Sequence, residues 1–281
     1  MKTFRRDGLR FDVTDRGPRD GPAVVCLHGF PQDATSYDEV APILVGQGMR
    51  VLAPDQRGYS PEARPTDRSA YALGELVADV VALLDAAAVD AAHVVGHDWG
   101  GAVAWTLAGR HPDRVHSLVA VSTPHPAAFQ AAVLRSSQAA RSAYMAFFQV
   151  PWLPERVTLA GGGRLLRSAL RGSGLPSSRA EHYTARMLEP GALSAALGWY
   201  RALPTSRGYG AGRVRVPTGY LWGRRDPFFA PAAAERTAAF VTGPFTERAL
   251  PDAGHWLPET RPVAVAELVL EVADGASRPQ R

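Results

Sequence analysis

The sequence is poor in cysteine and has no long apolar run. Of its 281 residues only Cys26 is a cysteine, which excludes an internal disulfide and fits a reducing compartment such as the cytoplasm. Cys26 stands in a short apolar segment, so we expect a small core residue. No stretch approaches the roughly 18 apolar residues of a membrane span, and the start lacks the apolar segment of a signal peptide. These features predict a cytoplasmic protein with no membrane span.

Lysine is also nearly absent, since Lys2 is the only one and arginine supplies the net charge of +4. The arginines are scattered rather than gathered in one basic stripe, so we expect no nucleic-acid partner. No histidines or other candidate ligands have metal-binding spacing, and no cofactor motif is present. We therefore expect neither a metal nor an organic cofactor.

Short apolar segments alternate with amphipathic helical patterns along most of the chain. This alternation predicts βαβ units and a mainly parallel sheet, hence an α/β fold with helices on both faces. Residues 273–281 are expected to be disordered. The expected strands are at 9–14, 23–27, 50–54, 92–95, 117–121, 217–222 and 246–250. The expected helices are at 37–46, 73–88, 102–108 and 262–272.

The pattern changes after the strand at 117–121, which is the fifth strand recognised here and is assigned as the sixth strand of the sheet. Residues 124–212 contain no convincing strand and have helical patterns rich in arginine, glycine and aromatic residues. Such an insertion predicts a lid over the carboxyl ends of the strands, where open α/β sheets bind ligands. We expect one catalytic domain formed by residues 1–124 and 213–281, with residues 125–212 inserted as a helical cap.

The segment Gly-His-Asp-Trp-Gly-Gly at 96–101 is the most informative motif. It lies between an apolar strand pattern and a helical pattern, as in the nucleophile elbow G-x-S-x-G, but Asp98 replaces serine. A carboxylate that attacks a carbonyl gives a high-energy anhydride, whereas attack on a saturated carbon gives an ordinary ester. The motif therefore predicts displacement at an sp3 carbon, in an epoxide or an alkyl halide.

A nucleophilic carboxylate needs a base that frees it afterwards and an acid that orients the base. Asp226 follows the strand pattern at 217–222, and His255 follows the last strand pattern, in the order expected of this elbow. Asp226 precedes a proline and could instead be a plain turn residue. His255 could be a surface histidine, and Asp252 is an alternative orienting acid. We predict a triad of Asp98, Asp226 and His255.

Ester hydrolysis builds an oxyanion, which needs preorganised N–H donors. The segment His-Gly-Phe-Pro at 28–31 follows the strand at 23–27. We predict that the backbone N–H groups of Phe30 and Trp99 form the oxyanion hole. His28 is interpreted as a loop brace rather than a base.

With these motifs the chain resembles the α/β-hydrolase superfamily and, within it, the epoxide hydrolases. The resemblance rests on residues 28–31, 55–60 and the elbow, on the turns at Asp226 and His255, and on the lid segments 144–151 and 198–202. It implies a mostly parallel eight-stranded sheet with a helical lid after the sixth strand. It also implies that Tyr144 and Tyr200 hydrogen-bond the epoxide oxygen, and that the partners are a small epoxide and water.

The proposed role of the two tyrosines agrees with their chemistry. An opening epoxide becomes an alkoxide, and a phenol with a reference pKa of about 10 still carries a proton for it at neutral pH. The alternative is that both are ordinary lid-core aromatics. We expect an apolar substrate pocket formed by lid residues, namely Phe147, Phe148, Trp152 and Trp199.

Three other functions remain open. Haloalkane dehalogenases share an aspartate followed by tryptophan, but they need a second N–H donor for the halide, which the Phe30 side chain cannot supply. Fluoroacetate-type dehalogenases need an arginine beside the elbow, where this chain has Trp99 and Gly100. A non-catalytic ligand receptor on the same scaffold is the third. A monomer and a homodimer are both compatible with the sequence.

Overall fold

The structure, a computed structural model, describes residues 1–133, 135–206 and 210–277. One eight-stranded sheet runs through it in the order β1-β2-β4-β3-β5-β6-β7-β8. The β1–β2 and β2–β4 pairs are antiparallel and all other pairs are parallel. The strands are β1 Thr3–Arg6, β2 Leu9–Arg16, β3 Ala23–Leu27, β4 Arg50–Pro54, β5 Ala92–His97, β6 Val115–Val121, β7 Thr218–Gly223 and β8 Phe245–Leu250. The expected α/β architecture is confirmed.

Helices cover both faces of the sheet because its central strands are apolar on both sides. Along β3, Val25 and Leu27 join the core with α2 and α3, whereas Val24 and Cys26 join the core with α1 and α12. This alternation follows from the two-residue period of a strand. These four helices are α1 Ala41–Gly46, α2 Leu73–Ala86, α3 Trp99–Arg110 and α12 Pro262–Ser277.

Between β6 and β7 the chain is helical, and we call this segment the β6–β7 insertion. Buried leucines and aromatics of the insertion join the core that α2 and α3 form with the sheet. Its helix α7 is interrupted where Gly161, Gly162 and Gly163 all have positive φ angles, between 60° and 72°. The helices are α4 Pro126–Val133, α5 Gln138–Arg141, α6 Ala143–Phe148, α7 Leu153–Gly172, α8 Ser177–Met187 and α9 Ala192–Arg201. Two short helices follow β7, α10 Pro231–Ala234 and, after β8, α11 Leu257–Thr260.

The sequence prediction missed the first strand and misplaced some helix ends. β1 is short and polar, and it pairs with β2 through a two-residue turn in which Asp7 and Gly8 both have positive φ. The Asp-Gly pair was the available signal for this hairpin. The expected helix at 37–46 is a 3-10 turn at Ala34–Tyr37 followed by α1. The expected disordered tail is wrong up to Ser277, because α12 extends that far, and residues 278–281 lie outside the described part.

Candidate active site

Asp98 lies on a sharp turn between β5 and α3. Its backbone has φ 52° and ψ −121°, an unusual conformation for a residue that is not glycine. The turn is tight because Gly100 lies against β3, where a Cβ atom would collide with the carbonyl oxygen of Leu27. Thr123, just after β6, donates from its hydroxyl to the Asp98 carbonyl at 2.7 Å. The nucleophile elbow expected at 96–101 therefore has the geometry that its glycines predict.

The loop after β3 contacts the Asp98 carboxylate directly. The backbone N–H of Phe30 donates to Asp98 Oδ1 at 2.9 Å. Gly29 makes this approach possible, since a Cβ atom there would overlap the Asp98 side chain. Trp99 is the first residue of α3, so its backbone N–H is one of those without a partner inside the helix. One of the two expected oxyanion donors thus already contacts this carboxylate.

His255 lies between two carboxylates. Its Nδ1 is 2.8 Å from Asp226 Oδ2, and its Nε2 is 3.6 Å from Asp98 Oδ2. The other oxygen of Asp226 accepts hydrogen bonds from the backbone N–H groups of Phe228 and Phe229, at 2.7 and 3.0 Å. These bonds fix the Asp226 carboxylate, and the carboxylate in turn fixes the imidazole. The structure therefore brings Asp98, His255 and Asp226 together in that order.

The alternative acid Asp252 lies elsewhere. Its side chain is exposed and pairs with the equally exposed Arg225 at 3.0 Å. Since Nδ1 of His255 contacts Asp226 instead, the geometry favours Asp226 as the orienting acid. His255 itself is buried, which disfavours the interpretation as a surface residue.

The charges in this cluster stabilise one another. Burial alone would lower the pKa of His255, but attraction and hydrogen bonds to Asp226 and Asp98 raise it to about 10. Burial alone would raise the pKa of Asp98, but its interactions with His255 and the Phe30 N–H hold it below the ordinary value. At neutral pH the pair is therefore an imidazolium and a carboxylate, so the Asp98 anion is present.

Tyr144 on α6 and Tyr200 on α9 approach this cluster from the insertion. Their ring centroids are 6.1 Å apart, and the Phe30 ring lies edge-on to Tyr200 at 5.4 Å. Burial raises the pKa of both phenols and the Asp98 charge raises it further, while a hydrogen bond from Trp99 partly opposes this for Tyr200. Both hydroxyls are therefore protonated at neutral pH.

A cavity of about 240 Å³ joins these groups. It is mainly apolar, and Asp98, His255, Tyr144 and Tyr200 supply its reactive side chains. Of the four aromatic residues expected to line it, only Phe148 does so. The remaining lining residues are Phe30, Pro31, Leu166, Ala169, Leu170, Ser173, Phe228 and Trp256.

The other three expected pocket residues lie outside this cavity. Phe147 packs behind Phe148, with ring centroids 6.0 Å apart. Trp199 is buried behind the elbow, where its indole N–H donates to the carbonyl of Arg57 at 2.8 Å. Trp152 stands at the surface just before α7. These predictions failed because an aromatic-rich helical segment does not reveal which of its faces is turned inward.

Some lining residues had a signal in the sequence. Phe228 and Trp256 stand two and one residues from Asp226 and His255, and adjacent side chains in a catalytic turn commonly border the same cleft. Leu166, Ala169, Leu170 and Ser173 follow the helical spacing of one face of α7. That face could have been found by periodicity once the helix was located.

A buried network behind His255 was not expected from the sequence. His97 Nε2 donates to the His255 carbonyl at 2.9 Å, and its Nδ1 is 2.8 Å from Gln32 Oε1. Gln32 also accepts from the Gly29 N–H and donates to Glu259. The network therefore links the loop after β3, the elbow and the loop that carries His255. His28 braces the same loop, since its Nε2 accepts from the backbone N–H of Gln56 at 3.1 Å.

Within residues 1–133, 135–206 and 210–277, no group of three or more His, Cys, Asp or Glu side chains could hold a metal ion. None of the helices in these ranges is long and apolar enough to cross a membrane.

The comparisons with known proteins agree with this geometry. A family model described as the alpha/beta hydrolase fold matches residues 22–262. The AB hydrolase superfamily protein YfhM of Bacillus subtilis is 34% identical over 94% of this chain and 94% of its own length. Human epoxide hydrolase 4 is 33% identical over 95% of this chain and 76% of its own length.

Solved structures give the same result. The crystal structure of epoxide hydrolase A from Mycobacterium thermoresistibile superposes with a TM-score of 0.82 at 27% identity, over 97% of each chain. An elbow aspartate, an α/β sheet with a helical insertion, and these similarities define a hydrolase of the α/β-hydrolase fold. Within that fold, the chain belongs to the epoxide hydrolase family.

Proposed function

We propose that this protein hydrolyses an apolar epoxide to a vicinal diol through a covalent ester on Asp98. The observation that carries the proposal is the convergence of Asp98, His255, Tyr144 and Tyr200 on one mainly apolar cavity. Epoxide opening needs a nucleophile for the carbon and a proton donor for the oxygen, and Asp98 and the two tyrosines could supply these groups in one cavity. In this proposal residues 125–212 act as the cap that closes the cavity. The proposed compartment is the cytoplasm, because the one cysteine, Cys26, is a free thiol.

In the first step an Asp98 carboxylate oxygen attacks an epoxide carbon. The new C–O bond forms as the epoxide C–O bond breaks, and the freed oxygen takes a proton from Tyr144 or Tyr200. Alkylation also removes the negative charge of Asp98, so the pKa of His255 falls because one of its two anionic neighbours is lost. The imidazolium then returns a proton to the tyrosinate, which leaves a neutral imidazole, a neutral phenol and a hydroxyalkyl ester.

In the second step the neutral His255 acts as a base. It takes a proton from water, and the hydroxide adds to the carboxyl carbon of Asp98. The backbone N–H groups of Phe30 and Trp99 are proposed to hold the oxyanion, and Phe30 already lies 2.9 Å from Asp98 Oδ1. Collapse expels the diol oxygen, which takes the proton of the new carboxyl group. The carboxylate and the imidazolium are thereby restored.

The surroundings of Trp99 favour an epoxide over an alkyl halide. A halide leaving group needs N–H donors, whereas an epoxide oxygen needs a proton. The Trp99 ring packs edge-on against the Tyr200 ring, with the two centroids 5.0 Å apart. This arrangement directs the indole toward a phenol that can donate a proton.

The test is intact-protein mass spectrometry of His255→Gln after exposure to separate panels of epoxides and haloalkanes. We expect an adduct with the mass of a whole epoxide, mapped to Asp98, because the ester forms but is not hydrolysed. The double variant Asp98→Ala/His255→Gln is the control and should stay unmodified. An alkyl adduct without its halogen would show a dehalogenase instead.

A second measurement covers the case in which His255→Gln does not fold. Wild-type protein is given less than one equivalent of epoxide in water enriched in oxygen-18. The proposed mechanism places the label in the Asp98 carboxylate after the first turnover, because water attacks the ester carbon. Label found directly in the diol would contradict a covalent ester.

A further inference from the structure

Trp152, expected in the pocket, belongs instead to an exposed apolar patch on the insertion. We define the Trp152 patch as Val150, Trp152, Leu153 and Val157, whose exposures are 39%, 63%, 36% and 39%. These are four of the eight large apolar side chains found exposed in the described residues, and they fall within positions 150–157. Single exposed apolar residues are ordinary on a protein surface, but such a concentration indicates an interaction site.

Unpaired positive charge accompanies this patch. The guanidinium of Arg156 lies over the Trp152 ring, 5.9 Å from its centroid. Glu155 is the only acidic residue of α7, and its oxygens are bonded to Arg201 at 2.7 and 3.0 Å. Within the described part of the chain, none of the α7 arginines forms an ion pair; they are Arg156, Arg164, Arg167 and Arg171. Both halves of α7, which meet at the interruption at residues 161–163, therefore carry exposed apolar side chains beside arginines without an ion pair.

The second half of α7 repeats this composition and also borders the cavity. Leu165 is 53% exposed and stands beside Arg164, whereas the next residue, Leu166, and Leu170 line the cavity. An apolar substrate partitions into lipid rather than water. A membrane that contacts Leu165 would therefore touch a helical segment that also lines the cavity.

We propose that the Trp152 patch, together with the unpaired arginines of α7, docks on an anionic phospholipid surface. An interfacial helix has tryptophan and aliphatic side chains that enter the lipid and arginines that meet the headgroups, and α7 carries both sets. The docking is peripheral, and it requires no membrane span.

Other occupants fit these residues less well. In a symmetric contact between two copies, the same cationic helix would face itself, and unpaired arginines would repel one another. A nucleic acid would satisfy the arginines but would leave Val150, Leu153 and Val157 against water. A lipid surface satisfies both the apolar and the cationic groups.

The test measures binding of the full chain to vesicles in the absence of any epoxide, so its outcome does not depend on the proposed reaction. Vesicles of phosphatidylcholine alone are compared with vesicles that also contain phosphatidylglycerol. We expect sedimentation with the anionic vesicles and its loss at high salt. Trp152→Ser with Leu153→Ser should weaken binding at least about tenfold, and Arg156→Gln about fivefold.

The matched control is Val263→Ser, which removes an apolar side chain that is 56% exposed on α12. This variant should bind vesicles like the wild type. Circular dichroism spectra and denaturant unfolding midpoints equal to those of the wild type would show that the patch variants remain folded. The proposal is wrong if the wild type does not bind anionic vesicles, or if the patch variants bind them as well as the wild type does. A dimer in solution that the patch substitutions dissociate would assign the patch to a second copy instead.

Discussion

The carboxyl edge of the sheet and the β6–β7 insertion hold their parts of the cavity by different forces. At the sheet edge, Asp98, Asp226 and His255 are fixed by polar contacts, such as the 2.8 Å contact between Asp226 and His255. On the insertion, Tyr144 and Tyr200 are held mainly by ring contacts, with centroids 5.0 to 6.1 Å from their aromatic neighbours. Directional bonds preorganise charge, whereas apolar packing tolerates small shifts. The proposed nucleophile and base are therefore held by directional bonds, whereas the proposed proton donors are held by apolar packing.

The substitution with the largest expected effect on turnover lies at the sheet edge. Asp98→Ala removes the proposed nucleophile, so turnover should fall at least about 10⁴-fold, measured as diol formed per enzyme. The matched control is Asp252→Ala, which removes an exposed carboxylate near the same histidine. It should stay within about twofold of the wild type, because exposed ion pairs contribute little. A loss as large for Asp252 as for Asp98 would overturn the assignment of Asp226 as the orienting acid.

The difference between the two regions also explains what the sequence could predict. The elbow, the Asp226 turn and the His255 turn are short local motifs, and parallel strands bring their carboxyl ends to one edge. The structure brings Asp98, Asp226 and His255 together at that edge. Trp152 and Trp199 stand on helical segments whose inward face depends on tertiary packing, and neither reaches the cavity.

For the same reason, short sequence motifs could not predict the long-range polar contacts. The network of Gln32, His97 and Glu259 joins three distant segments, and each residue alone resembles an ordinary polar residue. No spacing in one sequence links position 32 with position 259. Such a network can be identified only from the folded structure, in which buried polar atoms need hydrogen-bond partners.

Substitutions of the two cavity tyrosines on the insertion should have an intermediate effect on the rate of ester formation. Tyr144→Phe and Tyr200→Phe should each slow ester formation about 10²-fold, because each removes a proposed proton donor. Rapid quenching followed by mass spectrometry measures this step. The control is Tyr183→Phe on α8, whose hydroxyl donates to Glu259 at 2.9 Å. That variant should lose about 1 kcal/mol of stability with ester formation unchanged, since the buried Glu259 carboxylate loses one of its two donors. Equal rates for all three variants would identify the cavity tyrosines as packing residues.

The smallest expected effect concerns the contacts that tie the two regions together. His182 on α8 lies 2.7 Å from Asp33, which belongs to the loop after β3. The hydrogen bond with Asp33 raises the pKa of His182. This stabilisation is fully present below the unfolded pKa of about 6.5 and is lost as pH rises through the raised folded value. His182→Ala should therefore cost about 1 kcal/mol or less at mildly acidic pH, and almost nothing at alkaline pH.

Arg186 provides the control for this pH dependence. Its guanidinium contacts Asp33 at 3.3 Å and Asp55 at 3.0 Å. Since arginine keeps its charge throughout this range, Arg186→Gln should destabilise the protein equally at both pH values. Denaturant unfolding at each pH measures both variants. A His182→Ala effect that grows with pH would have the wrong sign for the proposed ion pair.

The burial of Cys26 in β3 has a practical consequence for spectroscopy. The thiol is fully buried in the core that the sheet forms with α1 and α12, and burial raises its pKa, so it is unreactive toward thiol reagents in the folded protein. A cysteine introduced at an exposed position such as Val157 would be the single reactive thiol. One spin label or fluorophore could then be attached without first removing a native residue, and the distance between α7 and any surface could be followed directly.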